Sequence, residues 1–147
     1  MIIREVVEHD YKAIWDISKN ALGYDCDIEA VHNNLNSTLN SNREIIFVAE
    51  NEDAVVGYIH AEVYSSLLFD KRLINILAFA VAQGRQHCGT GAKLLDAVEK
   101  WAVETGIAGI RLNSSCDRVH AHKFYRAKGF NHEKQQIRFV KIFNSEE

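Results

Sequence analysis

One stretch constrains this chain more than any other: residues 80–101, AVAQGRQHCGTGAKLLDAVEKW. An apolar run stops at a segment that contains Gly84, Gly89 and Gly91, and a patterned helix follows at once. Glycines weaken local structure unless something must approach the backbone closely. The stretch therefore predicts a buried strand, a turn that is open to close approach, and an amphipathic helix.

The start of this helix is a candidate anion site. The first backbone N–H groups of a helix have no partner within it, and they carry partial positive charge. Because Gly89 and Gly91 have no side chains, phosphate oxygens could reach those groups. A plain strand-to-helix turn, with glycines for tight packing, explains the spacing equally well. The residues alone leave both alternatives open.

The remaining elements follow from hydrophobic spacing and turn residues. They give the order βααβββαβαβ, which predicts an α/β chain with one mixed sheet and helices on both faces. No linker or repeat divides the sequence, so we expect one domain over residues 1–147. The predicted strands are IIREVV, REIIFVAE, AVVGYIHAEVY, RLINILAFAVA, GIRLNS and QQIRFVKIF, with a short extra strand near Phe130; the other helices are DYKAIWDISKNAL, capped by Asp10, DIEAVHNNLNSTLNSN and DRVHAHKFYRAK.

Composition argues against several classes of protein. The net charge is −3 and no basic block appears, so we expect no nucleic-acid partner. The longest apolar run is too short to span a bilayer, and the N-terminus lacks the apolar core of a signal peptide. We therefore expect a cytoplasmic protein without a membrane partner.

The cysteines and histidines do not form a metal motif. The chain has 3 cysteines, no CxxC pair, and an odd number that suits free thiols in a reducing compartment. Cys116, His120 and His122 are close in sequence, but the two histidines are two apart on a predicted helix and point to different faces. We expect no metal.

Two segments carry a resemblance to a known family. VAQGRQHCGTGAKLL resembles the acetyl-CoA loop of the GNAT superfamily of N-acetyltransferases, whose pattern is Arg/Gln-x-x-Gly-x-Gly/Ala. Gln86, Gly89 and Gly91 match that pattern. HKFYRAKGF resembles the second signature of the family, an aromatic-Tyr-x-x-x-Gly-Phe stretch near the C-terminus. The separation of the two segments and the order of the elements also fit.

The sequence departs from the family pattern at several positions. Many members have Arg-Gly where this chain has Gln86 and His87, so the loop lacks a charge and carries a bulkier side chain there. Many have Asn at the position of Arg118. The form of residues 115–125 resembles a branch of the family that acetylates small amines such as aminoalkylphosphonates and aminoglycosides.

The resemblance implies a fold and a cofactor site. The fold is a single-domain, mixed, mostly antiparallel sheet with helices on both faces, in which the fourth and fifth strands splay apart. The cosubstrate is acetyl-CoA, and the Phe79 N–H would polarise its thioester carbonyl. The residues implied in cofactor binding are Phe79, Val81, Gln86, His87, Cys88, Gly89, Thr90, Gly91, Ala92 and Phe124.

The resemblance also implies catalytic roles. Tyr125 is the candidate general acid, which would protonate the departing thiolate; its alternative is a core aromatic on an amphipathic helix. The general base is open. Relatives often place a Glu where this chain has Asn75, which can hold a water, while His60 and Glu62 share one face of the preceding strand. For each of these two residues, the alternative interpretation is an ordinary surface side chain on a half-exposed strand.

These features together predict an N-acetyltransferase that transfers the acetyl group of acetyl-CoA to a primary amine of a small molecule, by direct attack in a ternary complex. Two alternatives stay open: a protein or peptide N-terminal acetyltransferase, and a non-catalytic CoA-binding module. A homodimer is left open as well. Asp25, Asp27 and Glu29, with Tyr24, Trp15 and Tyr58, predict an acidic and aromatic pocket for a cationic acceptor.

Overall fold

A computed structural model describes residues 1–86 and 88–144 of the chain. The chain divides into two compact units, Met1–Asn113 and Ser114–Glu147. The first unit holds the sheet and the first three α-helices, and the second unit holds the fourth. The expectation of one domain over residues 1–147 stays a prediction.

The sheet has the strand order β1-β2-β3-β4-β5. The first four strands pair antiparallel with their neighbours, and β5 pairs parallel with β4. This confirms the predicted mixed, mostly antiparallel sheet. The elements in chain order are β1 (Ile2–Glu5), a 3-10 turn (Glu8–Asp10), α1 (Tyr11–Leu22), α2 (Ile28–Leu39), β2 (Glu44–Asn51), β3 (Ala54–Tyr64), β4 (Leu73–Val81), α3 (Thr90–Glu104), β5 (Ile110–Leu112) and α4 (Val119–Ala127).

Alternation along β3 assigns the helices to opposite faces of the sheet. Tyr58 is buried in the core that α1 and α2 share with the sheet, and its hydroxyl lies 2.6 Å from that of Ser18 in α1. The preceding residue, Gly57, points the other way: a Cβ there would lie 3.2 Å from the Cδ1 atom of Leu94 in α3. Because successive side chains on a strand face opposite sides, α3 covers the second face. Helices on both faces are therefore confirmed.

β4 carries a bulge at Leu77. His60 and Ala61 are consecutive in β3, but they pair with Ala78 and Ile76, so no β3 residue opposes Leu77. A bulge of this kind bends a strand and strengthens its twist. The extra residue also sets which side chains share a face.

The pairing of β4 with β5 ends part-way along β4, and the splaying that the family resemblance implies stays a prediction. Their pairing covers only Ile74 with Ile110, Asn75 with Arg111, and Ile76 with Leu112. β4 then continues through the bulge to Val81. Residues 77–81 therefore extend beyond the last residue that pairs with β5, and this is the point that we call the fork.

Asp10 occupies the predicted cap position of α1, but its side chain does not cap that helix. Its carboxylate accepts two hydrogen bonds from the Arg4 guanidinium, at 2.9 and 3.0 Å, and one from the Val7 N–H at 2.8 Å. Arg4 also donates to Glu50 at 2.8 Å. Burial raises the pKa of Asp10, but the bonds from Arg4 and Val7 outweigh it and hold this pKa below its usual value. The cluster joins β1, the 3-10 turn and β2.

The predicted final strand over residues 135–143 and the short strand near Phe130 are wrong, since the structure contains no strand over residues 130–144. Ile137 and Phe139 alternate as they would on a strand, yet they are 80% and 88% exposed. Alternation predicts which face of a strand is apolar, but a strand exists only where a neighbour pairs with its backbone.

The structure shows no membrane-spanning element in the part of the chain that it describes. None of the helices there has the length and apolarity that crossing a bilayer requires. The same residues contain no group of three or more histidine, cysteine, aspartate or glutamate side chains that could hold a metal ion.

Candidate functional site

The glycine loop ends where the sequence predicted, at the start of α3. Gly89 is the N-cap residue of that helix and has a φ of 82°, a backbone conformation that favours glycine. Gly89 has no side chain with which to cap the helix. A Cβ at Gly89 would meet no atom within 4 Å. The first N–H groups of α3 therefore begin beside an uncrowded, exposed glycine, which suits an anion.

The side chains of the predicted cofactor residues differ in their surroundings. Thr90 is buried, and its hydroxyl donates to the Met1 sulfur at 3.3 Å, so its side chain is used in packing. Gln86 donates to the Val81 carbonyl at 3.4 Å, and the exposed Cys88 thiol to the Gln86 carbonyl at 3.7 Å. Gly91 and Ala92 are half-buried in the first turn of α3. The remaining predicted loop residue, His87, lies outside the described residues.

Arg85 brings to the loop the charge that Gln86 lacks. It is half-buried, and its N–H donates to the Ala82 carbonyl at 3.0 Å in the turn that leaves β4. Arg85 lies outside the positions of the family motif, so the motif did not predict it. Its signal was present in the sequence, since no other lysine or arginine lies between Val81 and Gly91.

The two predicted backbone contacts for the cofactor lie on the part of β4 beyond the fork. Phe79 pairs with Ile59, and Val81 pairs with Gly57. Gly57 lets the start of α3 lie close to the sheet here, since a Cβ on Gly57 would be 3.3 Å from the Cγ2 atom of Thr90 and 3.2 Å from the Ala80 carbonyl oxygen. The end of β4 and the start of α3 therefore both lie close to Gly57. The contacts of Phe79 and Val81 with a cofactor stay predictions.

A polar network crosses the sheet at the fork. The Asn75 amide nitrogen donates to Glu62 at 3.0 Å, and the Asn75 amide oxygen accepts from Arg111 at 2.6 Å. Arg111 also donates to Asn113 at 3.1 Å, and its guanidinium carbon lies 4.7 Å from the centre of the Tyr64 ring. Asn75 thus links a carboxylate to a guanidinium.

His60, the other candidate base, has its own carboxylate partner. Its Nε2 atom lies 2.8 Å from Glu44, and the Thr38 hydroxyl is 3.4 Å from the same oxygen. His60 and Glu62 are both half-buried, and both lie on the sheet face that α1 and α2 cover in part. The structure thus places the two candidates on one face, as predicted, but in separate hydrogen-bonded groups.

In the second unit, Tyr125 and Phe124 lie on α4, which ends before Gly129. The Tyr125 ring packs edge-on against Phe124 and Phe130, with centroids 5.5 and 5.6 Å apart. Burial raises the pKa of Tyr125, and the positive charge of Arg118 opposes that rise only in part. The hydroxyl therefore stays protonated at neutral pH, as a general acid requires. The role of Tyr125 in catalysis and that of Phe124 in cofactor binding stay predictions.

Of the aromatic residues expected in the acidic and aromatic pocket, Tyr58 is excluded by its burial, and the pocket itself stays a prediction. Tyr58 is buried in the core, where Ser18 binds its hydroxyl. Trp15 donates its indole N–H to the Cys26 carbonyl at 2.8 Å, and Lys19 lies over its ring. Asp27 caps α2 through the Ala30 N–H. The sequence did not show that core packing uses Tyr58 or that capping of α2 uses Asp27.

Comparison with known proteins agrees with these features. The acetyltransferase (GNAT) family profile matches residues 4–130. No curated protein gives a significant match by sequence. One similar solved structure is an aminoglycoside acetyltransferase, meta-AAC0020, from an uncultured soil metagenomic sample, in complex with trehalose. It is 26% identical, with a TM-score of 0.81, and the match covers 97% of this chain and 95% of that one.

Two further structures share the fold at lower identity. AAC(6')-Iy in complex with a bisubstrate analogue, CoA-S-monomethyl-acetylneamine, is 17% identical with a TM-score of 0.84, over 97% of this chain and 98% of that one. A transcriptional regulator from Bacillus halodurans C-125 is 20% identical with a TM-score of 0.83, over 94% and 99%. The family profile covers most of the sequence. The chain therefore belongs to the GNAT family of acetyltransferases, and it is an acetyl-CoA-dependent N-acetyltransferase.

Proposed function

We propose that the protein acetylates a primary amine of a small molecule, by direct attack of the amine on the thioester in a ternary complex. The observation that carries this proposal is the Glu62–Asn75 pair beside the fork of β4 and β5. It sets a carboxylate near the place where the family resemblance puts the thioester. The aminoglycoside acetyltransferase that is 26% identical supports a small-molecule acceptor.

Glu62 is the general base in this proposal. An amine attacks a carbonyl only after it has lost its proton, and a positioned carboxylate can accept that proton directly or through one water. The Asn75 amide binds one Glu62 oxygen at 3.0 Å and so fixes the orientation of the carboxylate. In His60, by contrast, the Nε2 atom is already engaged by Glu44. His60 therefore comes second as a candidate.

The loop before α3 binds the cosubstrate in this proposal. Acetyl-CoA supplies the activated acetyl group, and the N–H groups of the first turn of α3 would donate to its pyrophosphate. Gly89 leaves those groups accessible, and Arg85 adds a positive charge near them. The N–H of Phe79 keeps the role of polarising the carbonyl, and the hydroxyl of Tyr125 that of protonating the departing thiolate.

The test is the release of free thiol from acetyl-CoA with a panel of amines, and mass spectrometry of each product. We expect turnover with small primary amines. We also expect Glu62→Gln to lower kcat by about 10²- to 10⁴-fold, the usual contribution of a general base. Glu104→Gln, at the far end of α3, is the matched control and should change nothing.

Other outcomes support the alternatives. Thiol release with peptides only would indicate N-terminal acetylation of polypeptides. Binding of acetyl-CoA without turnover of any amine would indicate a CoA-binding module. A normal kcat in Glu62→Gln together with a large loss in His60→Asn would move the role of base to His60.

A further inference from the structure

Arg111 is a half-buried cation to which the proposed chemistry assigns no role. It lies on β5, and its guanidinium donates to the Asn75 amide oxygen at 2.6 Å and to the Asn113 amide oxygen at 3.1 Å. The Tyr64 ring lies against the guanidinium, with 4.7 Å between the Cζ atom and the ring centre. Two amides and a ring therefore hold this planar group in one orientation.

The register of the sheet places Arg111 in one row with the proposed base. The row consists of paired residues on four neighbouring strands, which are Glu44, Glu62, Asn75 and Arg111. Residues that pair directly across neighbouring strands project from the same face of a sheet. The Asn75 amide stands between the guanidinium and the Glu62 carboxylate, and it bonds to both.

These two bonds fix the direction in which the Asn75 amide points. Its oxygen faces the Arg111 donor, and its nitrogen donates to the Glu62 carboxylate at 3.0 Å. In the reversed orientation the NH₂ group would face a guanidinium and the oxygen would face a carboxylate, so both contacts would be repulsive. The bond from the guanidinium also polarises the amide, which strengthens the bond that the amide donates. Arg111 thus acts on Glu62 across one amide.

The amide between the two charges matters for a base. A carboxylate that pairs directly with a guanidinium is a poor base, because the guanidinium occupies its oxygens and stabilises its unprotonated form. Arg4 and Arg126 pair with carboxylates in that direct way. Among residues 1–86 and 88–144, no ion pair includes Arg111. Its charge orients Glu62 through a neutral group instead of neutralising the carboxylate.

We propose that Arg111 is a positioning residue, which holds the Asn75 amide so that this amide directs the Glu62 carboxylate toward the acceptor amine. This inference rests on the proposed function, in which Glu62 is the general base. Proton transfer depends steeply on geometry, so a carboxylate that turns freely accepts a proton more slowly. Arg111 therefore affects the rate of the chemical step and not the binding of either substrate.

The experiment is a double-mutant cycle on kcat, measured as thiol release from acetyl-CoA with the full chain. The acceptor is the fastest of three amines, 2-aminoethanol, 1,4-diaminobutane and glucosamine. We expect Arg111→Gln to lower kcat by about tenfold, as for one lost bond from a charged group, and to leave both KM values nearly unchanged. In the Glu62→Gln background the same substitution should cause no further loss, because the base that Arg111 orients is already absent.

Two further variants complete the experiment. Arg111→Lys keeps the charge and one donor toward Asn75, so it should recover part of the lost kcat. Arg43→Gln is the control, because Arg43 is an exposed cation that donates to the Val63 carbonyl at 3.4 Å and to the Ser65 hydroxyl at 3.5 Å. It should leave kcat unchanged. Circular dichroism melting of each variant gives the folded fraction by which kcat is corrected.

Three results would overturn the inference. A tenfold loss that persists in the Glu62→Gln background would mean that Arg111 acts independently of the base, as a purely structural residue does. A raised KM for the amine with an unchanged kcat would make Arg111 a contact of the acceptor. A normal kcat in Arg111→Gln or in Glu62→Gln would reject the positioning role, while amine acetylation stands.

The proposed function fails in a different way. If none of the three amines releases thiol with the wild-type protein, acetylation of small amines is wrong, and the role of Arg111 falls with it. Thiol release by the wild-type protein together with any of the three contrary results rejects the role of Arg111 alone.

Discussion

At the scale of single residues, the hydroxyl of Tyr125 is the group whose chemistry is most directly testable. Its ring contacts Phe124 and Phe130, and burial raises its pKa above the usual value for tyrosine. A core aromatic needs only the ring, whereas a general acid needs the hydroxyl. Removing the oxygen alone therefore separates the two roles.

We expect Tyr125→Phe to lower kcat by about tenfold or more, which corresponds to about 1.4 kcal/mol of barrier, and to leave the KM for acetyl-CoA nearly unchanged. Steady-state kinetics and a melting curve on one preparation measure both effects. Tyr11→Phe, which removes a hydroxyl from a ring stacked on His32, is the control. A lower melting temperature with an unchanged kcat would mean that Tyr125 serves packing alone.

Asn75 is the residue whose surroundings the sequence predicted least well. Asn75 was expected to hold a water as a weak replacement for a base, but the structure gives it two partners, Glu62 and Arg111. All three residues were visible in the sequence. Their association was not, because it depends on the register of three strands, and register is set by long-range pairing.

At the scale of elements, the local signals predicted the structure well. Glycines before an amphipathic run marked the start of α3, and hydrophobic periodicity marked the other helices and strands β1 to β5. These signals are contained in short stretches of chain. The predicted last strand failed because a strand needs a partner that its own residues do not specify. The half-buried Arg85 was missed because motif positions alone were compared.

Two variants at Gly89, in the loop before α3, distinguish the effect of a negative charge on acetyl-CoA binding from the effect of side-chain shape. Any side chain at Gly89 must adopt a φ near 82°, so Gly89→Gln and Gly89→Glu carry the same backbone strain. Only Glu adds a negative charge where phosphate is expected. We therefore expect the KM for acetyl-CoA to be about tenfold higher in Gly89→Glu than in Gly89→Gln, as for one unfavourable charge contact.

Steady-state kinetics with acetyl-CoA varied at a fixed amine concentration measure this difference. Equal values of KM in the two variants would show that no anion binds at the start of α3. Glycine at this position would then serve only the turn.

At the scale of the whole molecule, stability should depend on pH through Asp10. Its folded-state pKa lies below the usual value for aspartate, because the Arg4 and Val7 bonds outweigh the effect of burial. A depressed pKa means that the carboxylate stabilises the fold above the unfolded-state pKa, near ~3.9, and that this contribution is lost as the pH falls through the lower, folded-state value.

We expect Asp10→Asn to lower the free energy of unfolding by about 2 kcal/mol at pH 7, because it leaves the Arg4 charge with less compensation. The difference from the wild-type protein should shrink as the pH falls below ~4. Urea unfolding at a series of pH values measures it. Asp70→Asn, on an exposed loop, is the control. A difference that stays constant with pH would mean that the cluster contributes through shape and not through charge.

The bulge at Leu77 shifts the alternation of side chains along β4 by one residue. A regular strand repeats every two residues, yet Asn75 and Ala78 stand three apart and face the same side. Deleting Leu77 would restore a regular two-residue alternation along β4 without turning a buried side chain outward. The shortened strand would keep its buried residues on the same faces, but it would lose the bend at the fork. The extra residue therefore determines the direction in which β4 continues beyond its last pair with β5.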